Sequence, residues 1–125
     1  MKRLKLTRLQ TLYVRQRVVT HDNEGVPVES WGPAIELKGE VWPATDRRAI
    51  ESYGDRINGI QSVWLQGQYV LVFENKVNKA LLREPNFLLS LGDGICVEAG
   101  PEDEPDYSVV SFTPYGLLKL EIERR

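Results

Sequence analysis

Apolar and polar positions alternate with a period of two over much of the chain. "LYVRQRVVT" sets Leu12, Val14 and Val18 against Tyr13, Arg15 and Arg17, and "AIELKGEVWPA" sets Ile35, Leu37 and Val41 against Glu36, Lys38 and Glu40. Successive side chains of a strand point to opposite faces, so both stretches predict strands with one buried and one wet side. Between them "THDNEGVPVESWG" carries Asp22, Asn23 and Gly25, which tolerate turn geometry, followed by the short extended "PVESW". A hairpin is predicted there. "LLKLEIERR" alternates again, with Leu118, Leu120 and Ile122 facing in and Lys119, Glu121 and Glu123 facing out. Pro114 and Gly116 of "TPYG" turn it back onto "YSVVSF", which predicts a second hairpin.

The middle of the chain breaks this rhythm. Asp46 to Gly59, in "ATDRRAIESYGDRING", is polar, rich in arginine and too long for a tight turn. Long excursions in a small domain are usually functional or disordered. Alternation resumes near Ile60, and "QYVLVFEN" reads as a buried strand. "NKVNKALLREP" predicts a short helix, capped by Asn75 or Asn78 and stopped by Pro85. No internal repeat and no low-complexity tract interrupts the pattern. The expectation is an all-β chain: a small antiparallel β-barrel, with a sandwich as the other arrangement, of about six or seven strands with long inter-strand loops and one short helix.

The 125 residues fit one domain, 1–125, and leave no room for a second core of normal size. With 42% apolar and 27% charged residues the chain is expected to fold. A net charge of −2 gives no bulk attraction to nucleic acid, but the charge is unevenly spread. Lys2, Arg3, Lys5, Arg8, Arg15 and Arg17 lie in the first twenty residues with no acid among them, whereas Glu98 to Asp106 is acidic. Charges punctuate the start too often for a secretory signal, and no run approaches the ~20 apolar residues of a membrane helix. Synthesis in the cytoplasm without membrane insertion is expected.

Cys96 and His21 each stand alone, which excludes an internal disulfide and any multi-cysteine zinc arrangement. They read as a core thiol and a turn-flanking histidine, since no third group is in place to orient a nucleophile pair. "GDG" and "GQ" lack the spacing of a phosphate-binding loop. No catalytic residue, cofactor or metal is expected, and the chain is read as a non-enzyme. The acid cluster "GPEDEPDY" offers Glu102, Asp103, Glu104 and Asp106, with Asp93 upstream, as calcium ligands, but without the alternate spacing, central glycine and closing glutamate of an EF-hand loop. The simpler reading is a hydrated loop bounded by Pro101 and Pro105. From another class, Tyr13, Trp42, Tyr53, Trp64 and Tyr69 near Arg15, Arg17, Arg47, Arg48 and Arg56 would suit an OB-like platform for single-stranded nucleic acid. Trp42, on the polar side of its strand, equally marks a protein interface.

Taken in order, "RVVTHDNEGVPVESW", "ELKGEVWPATDRRAIESYGDRI" and "GDGICVEAGPEDEPDYSVVSFTPYGLLKLEIER" resemble the head-tail joining, or head-completion, proteins of long-tailed bacteriophages and related prophages. The most specific pieces are "YGDRI" at Tyr53 to Ile57, and "GDGICV" followed by "PDYSVVS". The resemblance implies a small β-barrel in the virion, at the head-tail interface, made in the host cytoplasm. It would complete the head after packaging of double-stranded DNA, help to close the portal channel as a connector stopper, and offer the tail its attachment surface. A tail-side joining protein at the same interface is the near alternative.

The implied partners are portal and adaptor proteins, tail-completion proteins, and identical subunits in a ring, twelve-fold in the family, that are monomeric in isolation. The family's channel loop corresponds to residues 46–58, which makes Asp46, Arg47, Arg48, Tyr53 and Arg56 its candidate residues. Arginines near the channel axis would meet DNA phosphates without reading sequence, or, since Asp46, Glu51 and Asp55 offset much of the charge, the exposed loop would contact a neighbouring subunit. Residues 67–91 look like an insertion. Glu102, Asp103, Glu104 and Asp106 are candidates for docking on a basic surface, with Arg15, Arg17 and Trp42 as further interface candidates.

Overall fold

The computed structural model describes residues 9–44, 47–74, 77–83, 86–115 and 117–125. The chain is mainly β. Six strands form a closed antiparallel barrel: β1 (Gln10–Arg15), β4 (Ile35–Pro43), β5 (Ile60–Leu65), β11 (Leu117–Arg124), β10 (Tyr107–Tyr115) and β9 (Gly94–Cys96), in that order, with β9 returning to β1. Two smaller sheets are attached. A ribbon pairs β2 (Arg17–His21) with β3 (Pro27–Trp31), and a three-stranded sheet runs β6 (Tyr69–Glu74), β7 (Val77–Leu82), β8 (Phe87–Leu89).

Alternation builds the barrel as the sequence predicts. Leu12 and Val14, Leu37, Val63 and Leu65, Leu118, Leu120 and Ile122, Ile95 and Val109 are all buried in one core. Register fixes this: Leu118 faces Leu65 and Leu120 faces Val63 across the ladder, while Lys119 and Glu121 oppose Trp64 and Ser62 on the outer wall. A bulge between Val109 and Ser111 turns Val110 outward. Two glycines permit close approach. A Cβ on Gly39 would stand 2.7 Å from the Trp64 carbonyl oxygen, and one on Gly94 only 2.3 Å from Pro105 Cγ.

Five expectations change, the first being the buried strand expected in "QYVLVFEN", which is the edge strand β6 with Val70, Leu71 and Phe73 exposed. The predicted hairpin near the start forms, but β2 leaves the barrel at Gln16, so Val18 lies outside the core in the ribbon. Glu40, read as wet, is buried on the outer wall opposite Trp64. The predicted helix in "NKVNKALLREP" is strand β7: Ala80 and Leu82 are buried with period two, and β7 pairs on both sides. An isolated helix of that length could not offset its nucleation cost, whereas two ladders stabilise the strand. The loop expected over 46–58 is instead helix α1 (Arg47–Tyr53) followed by a 3₁₀ turn (Gly54–Gly59), with Asp46 outside the described residues. Gly54, at φ 55°, ends α1 in a conformation that favours glycine.

The two excursions from the barrel have separate seats. Ala80, Leu82 and Leu89 of the three-stranded sheet join the barrel core, so the 67–91 segment is a folded layer with its own ladder. The helical segment lies on the outer wall, where Ala49 packs with Ala44 and Ile60, and Tyr53, Ile57 and Val110 lean on them.

Candidate functional site

The helical segment turns a surface of mixed charge outward, with Glu51 and Asp55 exposed beside its arginines. Arg47 and Arg48 are exposed at the start of α1, Arg47 pairing only loosely with Glu51 one turn on, at 3.2 Å. Arg56 is occupied differently. Its Nε and Nη2 donate to the two oxygens of Glu123 on β11 at 2.7 and 2.6 Å, and its guanidinium stands 5.5 Å from the Tyr53 ring centre. Hydrogen bonds from Arg56 hold the Glu123 carboxyl below its usual range. Of the three arginines expected in a channel loop, Arg56 pins the segment to the wall, and Arg47 and Arg48 present their charge to solvent.

Beneath α1 is a cleft of ≈ 380 Å³ lined by Arg48, Ser52, Tyr53, Ser111, Lys119 and Glu121 among others. Ser111 Oγ donates to Glu121 Oε1 at 2.9 Å. Burial pushes the Tyr53 hydroxyl up, partly offset by its hydrogen bond with Ser111. The chemistry this cleft can offer is hydrogen bonding and charge to a polar partner.

The acidic loop divides into structural and free carboxylates. Asp106 accepts from the Val97 and Glu98 amides at 2.8 and 3.0 Å, and Asp103 accepts from the Gly100 amide at 3.0 Å. Pro105 is buried against Gly94. Glu102 and Glu104 are exposed at the tip. Asp93 lies apart: it is 3% exposed, and its two oxygens accept from the Arg17 and Ser90 amides at 3.0 and 2.9 Å. Burial raises its carboxyl above the ordinary value, against the pull of those bonds and of Lys79. Among the described residues no group of three or more His, Cys, Asp or Glu side chains is placed to hold a metal ion.

The basic strand and the acidic loop meet within the chain. Arg15 donates from Nη1 to the Asp103 carbonyl at 2.9 Å, and from Nε and Nη2 to the Gly32 and Trp31 carbonyls at 2.7 and 3.3 Å. It is a brace at the point where β2 leaves the barrel. Arg17 donates to Glu29 at 2.6 Å, and Arg125, which sequence reasoning passed over, donates to the other Glu29 oxygen at 2.6 Å and lies 4.6 Å from the Trp31 ring centre. No pattern in the sequence announces that triad, because its members are far apart in the chain.

Trp42 is 42% exposed on the outer wall, diagonal to Trp64 on the next strand. Tyr69 packs on the core beside the three-stranded sheet, Tyr53 ends α1 and leans on the small outer cluster, and Tyr13 lies on β1. The five aromatics therefore do not share one surface. Cys96 is buried, with its thiol pushed up by burial and by Asp106. Among the described residues no helix is long and apolar enough to cross a membrane. No family profile, curated protein or solved structure matches the chain.

Proposed function

We propose that the chain is a structural protein of a phage head-tail connector, which completes the DNA-filled head, helps to close the portal channel and provides the surface for the tail. The observation that carries this reading is the placement of the resembling pieces. "YGDRI" ends α1 and opens the 3₁₀ turn whose Arg56 anchors the helical segment to β11, and "GDGICV" and "PDYSVVS" supply adjacent barrel strands tied by the Asp106 cap. A rigid barrel thus carries Arg47 and Arg48 at one surface and Glu102 and Glu104 at another. In a ring of such subunits the arginines would face packaged DNA through phosphate contacts alone. The acidic tip would steer docking onto a basic adaptor or tail protein, setting rate and register more than affinity.

The test adds the purified chain to DNA-filled, tail-less heads and measures co-sedimentation and protection of the DNA from nuclease. Binding with protection is expected. An Arg47→Ala, Arg48→Ala double variant should still bind but protect less. A Glu102→Ser, Glu104→Ser variant should melt like the parent yet attach more slowly at low salt. Absence of binding to heads would overturn the reading, and tight salt-sensitive binding to a single-stranded oligonucleotide would replace it with the OB-like one.

A further inference from the structure

We propose that β6 is a self-pairing edge, on which a second copy of this chain docks antiparallel across a two-fold axis. Among the described residues β6 pairs with β7 alone, and it forms one edge of its sheet. Val70 and Leu71 are each 43% exposed and Phe73 is 70% exposed. Register places Tyr69, Leu71 and Phe73 on the face that continues into buried Ala80, Leu82 and Leu89, and Val70 and Val72 on the face shared with Leu81 and Leu88. Edge strands of monomeric proteins are normally guarded by charge, proline, a bulge or a covering element. From Tyr69 to Phe73 this edge has no charge and no proline, and its ladder to β7 runs without a bulge.

The occupant follows from the order of residues. A two-fold axis perpendicular to the sheet keeps each face continuous, so odd positions of one copy must oppose odd positions of the other. Centring the axis on Leu71 sets Leu71 opposite Leu71, Val70 opposite Val72, and Tyr69 opposite Phe73. "YVLVF" reads aromatic, Val, Leu, Val, aromatic in both directions. An isologous contact requires such a self-complementary patch, and aromatic and β-branched cross-strand pairs are favourable ones. The result is a six-stranded sheet, three strands from each copy, with Phe73 covered by the partner's Tyr69. This inference does not rest on the connector reading.

The experiment measures the mass of the full chain by sedimentation equilibrium over a concentration series. The parent should shift from one copy to two. Leu71→Lys and Leu71→Glu, at an exposed site, each place like charges opposite one another and should remain single copies, with unchanged circular dichroism. Mixed in equal amounts they should form a pair again, because Lys then faces Glu. Phe73→Glu, the most exposed position, should weaken pairing independently. A parent that stays a single copy throughout, or a Lys and Glu mixture that fails to pair, overturns the proposal.

Discussion

Replacing Asp93 by Ala should remove a knot that joins three parts of the chain. Its carboxylate accepts from Arg17 at the start of β2 and from Ser90 after β8, while its own carbonyl accepts from Val109 of β10 at 2.9 Å. The substitution keeps that last bond and leaves two part-buried amides without their acceptors, at about 1–3 kcal/mol each. Relief of burying a carboxylate whose pKa is already raised offsets part of this, so we expect a net loss of about 2–4 kcal/mol. For a chain of this size that lowers Tm by ~10 °C. Asn retains one acceptor but turns an amide toward the other donor, so it should fall between the parent and Ala. Thermal melting by circular dichroism, with a urea titration for the free energy, measures both variants. A cost for Asp93→Ala below ~0.5 kcal/mol, the range of an ordinary surface change, would refute the assignment. So would a rise in the parent's Tm with added calcium, because these oxygens are committed to backbone amides.

Two further perturbations test the tethers. Hydrogen bonds from Arg17 and Arg125 hold Glu29 below the ordinary 4.5, and Arg56 does the same for Glu123. Depressed carboxyl pKa values mean stability that is complete above the unfolded value and lost as pH falls through the folded one. Asp93 runs the other way, its burial costing stability as pH rises above the ordinary 3.8. Tm should therefore fall as pH drops below about 4.5, and a Glu29→Gln, Glu123→Gln variant should flatten that fall; an unchanged slope would exclude these pairs as its source. Gly94→Ala drives a methyl into Pro105 and Trp31, with contacts of 2.3 and 3.0 Å. It should cost about 1–3 kcal/mol. Pro105→Gly should recover part of that cost, read as a positive coupling in a double-mutant cycle by urea denaturation.

The barrel was legible wherever one face of a strand is buried and the other wet. Leu118, Leu120 and Ile122 show this most plainly, since their alternation is unbroken and their ladder to β5 is equally regular. Local pattern failed where tertiary contact decides. α1 has a single buried residue, Ala49, and owes its seat to Ala44 just after β4, to Ile60 at the start of β5 and to Val110 from distant β10. β7 looked helical because "KALL" is a good helix former, yet its neighbours on both sides are strands. The aspartates read as part of a hydrated loop, with calcium ligation as the alternative, and what the sequence did not show is that Asp103 and Asp106 hold backbone amides within that loop. Such short-range capping is what aspartate in a Gly- and Pro-rich turn most readily does. "YVLVF" reads as a buried strand from its sequence, and only the topology makes it an edge.

Closure of the barrel limits where strands can be added, because it leaves no free edge on that sheet. Strand-mediated association must use the ribbon or the three-stranded sheet. The ribbon is tied back by Arg17, Glu29 and Arg125, whose charges lie beside its exposed Val19 and Val28, whereas β6 is apolar without interruption from Tyr69 to Phe73. Of the remaining exposed functional candidates, Arg47, Arg48, Glu102 and Glu104 are charged, and Trp42 on the outer wall is the apolar exception. Contacts through these charges are screened once salt shortens the Debye length to about 3 Å near 1 M, but burial of apolar surface is not weakened that way. Raising sodium chloride should therefore slow attachment to heads while leaving self-association through β6 unchanged. Parallel loss of both with salt would mean that one charged surface governs both events, and the division between an ionic docking face and an apolar self-pairing edge would fall.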